Sequence, residues 1–262
     1  MQKSAWGQET SSTIPTHLLI AAQNHGGLVL GAYDGKKMVG ILFGITSVDG
    51  KRRYQYSHIT GVTRGYQSRG VGFRLKLSQR DHVIRRGQDL VKWTYDPLQA
   101  GNAIFNIRKL GAIARTYRRD LYGHLNDSLN RERLTDRFEV EWWIKSRRVK
   151  ERIRGGYRPV SLAEALGDGA EPVNLTRKID SRSRRPVSSR LGLRGIRLLV
   201  EIPDSIVRVR DASLATAKAW ALHVRRIFEN YFPRGYAVTD VLVEEGRGER
   251  RIFYLLDSRR RL

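Results

Sequence analysis

The chain has no cysteine, which excludes a disulfide scaffold, a thiol nucleophile and any cysteine-ligated metal site. No apolar run approaches the ~18 residues that a membrane helix needs. The first residues lack the basic-then-apolar pattern of a secretory leader, so the expectation is a cytoplasmic protein with no membrane partner. No His-x-x-x-His spacing or carboxylate cluster suggests a metal ligand set. Acidic residues are scarce, 26 against 49 Lys and Arg, for a formal charge of +23 over 262 residues. Such a surface gathers anions. Nucleic acid is one reading, through counterion release; an Arg-rich composition together with a site for an anionic cofactor is the other. No RNP motif, zinc-finger spacing or helix-turn-helix accompanies the basic residues, which are denser at 145–158 and 177–197 but spread throughout. The second reading is taken, with nucleic acid kept as a secondary partner that is not favoured.

What the chain does have is Gln67-Ser68-Arg69-Gly70-Val71-Gly72, a Q-x-x-G-x-G loop between a strand pattern and a helix pattern. Residues 54–62 (YQYSHITGV) are β-branched and aromatic, as a strand should be. Residues 73–86 place Phe73, Leu77, Val83 and Ile84 near a helical apolar stripe. Glycines in such a loop let consecutive backbone N–H groups close around a phosphate at a helix start, where the dipole already favours an anion. A short strand at 90–95 follows, ended by Asp96-Pro97, and then a helix over 102–110 closed by Gly111.

This series of parts, with the wording SHITGV, YQSRGVG, WTYDPL and NAIFNIRKLGA, resembles the GNAT superfamily of acyl-CoA-dependent N-acetyltransferases, and within it a bacterial group of predicted acetyltransferases. The resemblance covers residues 27–143. It implies an α/β fold, a GNAT-type mixed central sheet flanked by helices. It also implies acetyl-CoA as co-substrate and an amine acceptor that attacks the thioester directly; a small-molecule amine, a peptide N-terminus and a protein lysine all remain open. By the same resemblance, backbone at Arg69, Gly70, Val71 and Gly72 would chelate the pyrophosphate, with Gln67 and Ser68 shaping the turn and Arg69 and Arg74 adding charge. Thr60, Gly61 and Val62 would pair with the pantetheine arm as if it were another strand, and Asn102 would contact it, with Asn106 a further polar residue on that helix. Many members carry a tyrosine four residues before the helix-ending glycine, as the acid for the leaving thiolate. Ile107 stands there in this chain, so the usual acid is absent or its role falls to Tyr117, Tyr95 or water. For the general base the candidates are His58, on the strand before the loop, and Asp96; Asp136 and Arg137 are weaker candidates for substrate binding.

Before the loop, a short helix near 17–23 and a hairpin of 28–32 with 39–45, turned at Asp34-Gly35, are expected. A typical member has one more strand first, so an open sheet edge and a homodimer are expectations too. Past the loop region, 112–115 reads as a strand, 117–130 as irregular and 135–144 as a half-exposed strand. Trp142 and Trp143 read as a core cap or an interface pair, with an aromatic acceptor pocket as the sharper alternative. The composition then shifts. A basic helix over 145–154 and a loop over 167–190 form a connector, 146–194, between a first domain, 1–145, and a small α/β subdomain, 195–262. That tail reads strand 196–202, helix 212–231 capped by Asp211 or Ser213, and strands 236–243 and 251–256. Its order echoes 90–143 without any phosphate loop, which assigns it to packing, dimerisation or closure of the substrate site.

Overall fold

In the computed structural model of the chain, which describes residues 13–123, 134–180, 183–246 and 248–258, helix α1 (Thr16–Asn24) leads into the expected hairpin. Strands β1 (Leu28–Asp34) and β2 (Lys37–Asp49) pair antiparallel, with Gly35 at φ 55° in the turn. No strand precedes β1 among the described residues. Then come β3 (Arg52–Val62), α2 (Val71–Arg85) and β4 (Leu90–Tyr95), in the order the loop motif requires. The helix α3 (Ala100–Ala103) continues as a π-helical turn, Ile104–Lys109, and ends at Gly111 with φ 78°. Strands β5 (Ile113–Arg118) and β6 (Arg137–Trp143) follow. The second half of the irregular stretch 117–130 lies outside the described residues. The architecture is α/β, a mixed and mostly antiparallel sheet with helices on it.

Two compact units make up the chain. The first holds residues 1–93 and 141–146, with strand order β1-β2-β3-β4 and the end of β6 beside β4. Helix α2 packs on β1, β2 and β3 through Leu75, which meets Leu28 and Leu42. Gly40 makes that close approach possible: a Cβ there would lie 3.1 Å from both Leu75 Cδ1 and Val71 Cγ1. Trp93 and Trp142 meet edge to face at 6.0 Å, and Trp142 is fully buried, as a core cap should be. The helix stripe is corrected: Leu75, Lys76, Gln79 and Val83 are the buried residues, not Phe73, Leu77 and Ile84. Two of the four are polar and bond to polar residues of β3, so an apolar periodicity count points to the wrong face.

The second unit holds residues 94–140 and 147–262, with strand order β4-β6-β5-β11-β12-β10-β7. Its helices are α4 (Arg147–Ile153), α5 (Leu162–Gly167), α6 (Ile206–Ala212) and α7 (Leu214–Tyr231). Its remaining strands are β7 (Glu171–Pro172), β8 (Asn174–Lys178), β9 (Arg184–Ser189), β10 (Arg197–Ile202), β11 (Ala237–Gly246) and β12 (Glu249–Asp257). The stretch read as a loop, 167–190, instead carries β7 and the β8–β9 hairpin. Its Gly, Pro and Ser content hid the pairing, and residues 181–182 lie outside the described set. The helix expected over 212–231 is divided, with Ser213 as the N-cap of α7 and Asp211 inside α6. Trp220, Val224, Ile227, Phe228 and Tyr231 form its buried face, while Leu214 is half exposed. Phe228 stands 4.6 Å from Phe138 and 5.7 Å from Tyr254, an aromatic cluster in which each ring contributes roughly 1.5–3 kcal/mol by burial. No described helix is long and apolar enough to cross a membrane.

Candidate functional site

Backbone geometry makes the Q-x-x-G-x-G loop a cradle. Ser68 and Gly70 have φ of 62° and 82°, with Arg69 between them outside the left-handed region. Sign changes of this kind are the backbone feature in which anion-binding nests of N–H groups form. At Gly70 a side chain would meet nothing within 4 Å, so conformation and not space calls for glycine. Gly70 is also the N-cap of α2, and no side chain caps that helix start. The first-turn amides have no intrahelical acceptor by geometry, and no acidic residue lies in the first turn. Gln67 Nε2 donates to Val62 O at 3.0 Å, which ties the loop back to the end of β3. Tyr66 O–H donates to Asp34 Oδ2 at 2.6 Å, and the Arg69 guanidinium lies 5.5 Å from the Tyr66 ring. Arg64, Arg69 and Arg74 are exposed around this cradle.

Upstream of the loop, residues 57–62 of β3 have no strand paired on the side away from β2 among the described residues. On one side Gly40, Ile41 and Leu42 of β2 pair with Val62, Gly61 and Thr60. On the other, β3 and β4 pair parallel for two positions, Gln55 with Val91 and Tyr56 with Lys92. Beyond them, alternate residues of β3 direct N–H and C=O groups away from β2. The β2–β3 register jumps from Phe43–Ile59 to Gly44–Ser57, so His58 is the extra residue of a β-bulge. Bulges re-aim a side chain and bend the strand. His58 is exposed, with the rings of Phe43 and Tyr56 at 5.9 and 6.3 Å. Partial desolvation holds its pKa below the ordinary 6.5, which leaves the imidazole neutral near pH 7 and able to accept a proton.

Beneath this edge lies a group that the sequence reading missed. Lys76 is 2 % exposed. Its Nζ donates to Ser57 Oγ at 2.9 Å and Gln79 Oε1 at 3.1 Å, and stands 3.8 Å from the centroid of the Trp93 ring. Gln79 Nε2 in turn donates to Gln55 Oε1 at 2.7 Å. Desolvation lowers the Lys76 pKa to about 7. The only sequence signal was a lysine on the sheet-facing side of a helix, opposite Gln and Ser on the strand it covers.

Asp96, Asn102, Asn106 and Tyr117 belong to the second unit. Asp96 Oδ1 accepts the Leu98 amide at 2.9 Å, a turn-forming bond. Asn102 is exposed and Asn106 is buried, next to the fully buried Ile107. Tyr117 O–H donates to Asp136 Oδ2 at 2.6 Å, and burial first, then that carboxylate, raises its pKa well above the phenol range. Tyr95 is buried with its hydroxyl 3.2 Å from that of Tyr254, and burial raises its pKa as well. Burial alone would raise Asp136, but hydrogen bonds from Arg225 and Tyr117 outweigh it and hold the carboxyl below its ordinary value. Arg225 Nη2 reaches Asp136 at 2.6 Å and Asp120 at 2.9 Å, so Asp136 is part of an internal ion-pair network. No group of three or more His, Asp or Glu capable of holding a metal occurs among the described residues.

No family model matches the chain, and no curated protein matches it. Solved structures do. The NatC complex bound to Gag peptide and CoA is 16% identical over 53% of this chain and 85% of that one, with a TM-score of 0.42. The ribosomal-protein-S18-alanine N-acetyltransferase from Escherichia coli is 20% identical over 55% and 83%, also at 0.42. A GNAT family acetyltransferase from Elizabethkingia anophelis with acetyl-CoA bound is 14% identical over 52% and 94%, at 0.39. Each of these three likenesses spans a little over half of this chain, 52–55%.

Proposed function

We propose that the protein is an acetyl-CoA-dependent N-acetyltransferase acting on a small-molecule or peptide amine. The observation that carries this reading is the junction of β3 and α2: a strand edge freed beside a bulge, running into an uncapped helix start wrapped by a left-handed, basic loop. The co-substrate supplies an activated acyl group, and its two ends fit the two halves of this junction. Amides of Arg69, Gly70, Val71 and Gly72 would hold the pyrophosphate, with Gln67 and Ser68 fixing the turn and Arg69 and Arg74 adding charge. Thr60, Gly61 and Val62 would hold the pantetheine amides as a neighbouring strand does. We assign this chemistry to the β3–α2 junction of the first unit.

Amine attack on a thioester needs alignment, removal of the ammonium proton, and a donor for the carbonyl oxygen as charge builds. The strand edge serves the first and third. His58 serves the second, because its imidazole is neutral and exposed. Asp96 is the lesser choice, since its carboxylate already holds the Leu98 amide. Tyr117 and Tyr95 are both engaged and hard to ionise, so water protonates the departing thiolate. Those engaged tyrosines also favour a second reading, a non-catalytic acyl-CoA-binding protein.

Calorimetric titration with acetyl-CoA tests the binding. Gly70→Glu, which puts a carboxylate in the nest, is expected to weaken binding more than about tenfold, equivalent to ~1.4 kcal/mol. No binding by the unmodified protein would end the proposal. Given an acceptor, His58→Gln is expected to lower turnover by about 10²–10⁴. It should also remove the fall in rate as pH drops through the histidine pKa. Binding without turnover under any acceptor would favour the second reading.

A further inference from the structure

Pairing between β3 and β4 stops at Tyr56–Lys92, and the next residue on each strand, Ser57 and Trp93, is a partner of Lys76. The three N–H bonds of an ammonium match three acceptors here: Ser57 Oγ, Gln79 Oε1 and the face of the Trp93 indole. Trp93 is backed by Trp142, and Gln79 is tied to Gln55. The lysine therefore links β3 and β4 through α2 at the point where they part. No carboxylate pairs with it among the described residues. A buried unpaired amine costs stability that an apolar side chain of equal length would not, so packing does not account for it.

We propose that Lys76 is a positioning residue which fixes where β3 separates from β4, and so sets the strand edge that receives the acyl-pantetheine arm. This rests on the acetyl-CoA reading above. With its pKa near neutrality, the lysine links the strands fully as an ammonium and less so as an amine, which has lost one donor and its attraction to the indole face. The groups facing it are Gln55 and Ser57 from β3, Gln79 from its own helix and Trp93 from β4. The titratable neighbour is His58, next to Ser57 in the strand.

The test compares two ligands in a His58→Gln background, which removes the imidazole titration. One is acetyl-CoA; the other is 3′-phospho-ADP, the nucleotide end without the arm. Lys76→Met is expected to lose about tenfold in acetyl-CoA affinity and to bind 3′-phospho-ADP unchanged. With Lys76 present, acetyl-CoA affinity should decline between pH 6 and 9, and Lys76→Met should abolish that dependence. Equal loss for both ligands, or no loss for either, overturns the inference while leaving the acetyl-CoA reading in place. Failure of the unmodified protein to bind acetyl-CoA overturns both. If Lys76→Met does not fold, Ser57→Ala removes only an acceptor; it should weaken acetyl-CoA selectively, and no selective effect would overturn the inference equally.

Discussion

Strand β10 runs into α6 through Pro203, Asp204 and Ser205, and Ser205 Oγ accepts the Arg208 amide at 3.2 Å. One residue past α6, Ser213 Oγ does the same for the Thr216 amide that opens α7. In the first unit β3 runs into α2 through a longer loop, and no side chain caps the helix. Of these two strand-to-helix steps, one in each unit, the second unit's has a side-chain cap and the first unit's has none. Buried charge is not uniformly paired in the second unit, where Arg148 Nη2 has no hydrogen-bond partner among the described residues, but two carboxylate clusters there contrast with one lysine of the first unit. In the second unit Arg152 and Asp240 are paired at 3.0 Å with Tyr157 donating to the same carboxylate, and Arg225 joins Asp120 to Asp136. In the first, Lys76 has only neutral partners among the described residues. Closed electrostatics suit a scaffold, and open electrostatics suit a site that must receive something charged.

The largest effect should come from breaking the closed side. Asp240→Ala leaves Arg152 buried without its anion and is expected to cost about 3–5 kcal/mol in chemical denaturation. A small loss would mean that the second unit does not depend on charge pairing, and the contrast would fail. Lys76 tests the open side through pH. Its folded pKa of about 7 lies below an unfolded value of ~10.4, so the unfolded chain binds more protons between the two. Stability relative to Lys76→Met should therefore rise with pH from about 7 to about 10.5, by on the order of a few kcal/mol in all. A flat difference would mean that the amine is not held in a dry site. The smallest effect sharpens the comparison of helix starts. Ser213→Ala should cost about 1 kcal/mol of stability and leave acetyl-CoA affinity unchanged, the reverse of the pattern expected for Gly70→Glu.

What the sequence made legible follows from which signals are local. Gly35, Gly70 and Gly111 each mark a backbone sign change, and all three have positive φ where turn or cap chemistry calls for it. Strand β6 alternates buried Phe138, Val140 and Trp142 with half-buried neighbours, so its period was plain. The β8–β9 hairpin was not, because Pro186 and a register shift interrupt the alternation. Lys76 escaped notice for a different reason. A buried lysine reads as a surface residue until the strand beneath it is known to carry Ser57 and Gln55. The bulge at His58 likewise exists only in the pairing with β2; His58 was a candidate from its place before the loop, but its exposure there is a product of register.

The turn Ile104–Lys109 is π-helical, and Leu110 donates its amide to Phe105 O, five residues back, at 3.0 Å. One residue more per turn advances the phase of everything beyond it by about 100° relative to an α-helix. Counting backward from Gly111 to find a side chain's direction, as one does in an unbroken helix, therefore misplaces Asn102, which lies beyond the turn, by about 100°. A ruler laid along the sequence and one laid along the helix disagree here by one residue. Deleting a single residue from this turn would bring them into agreement, and would turn the helix face that Asn102 occupies.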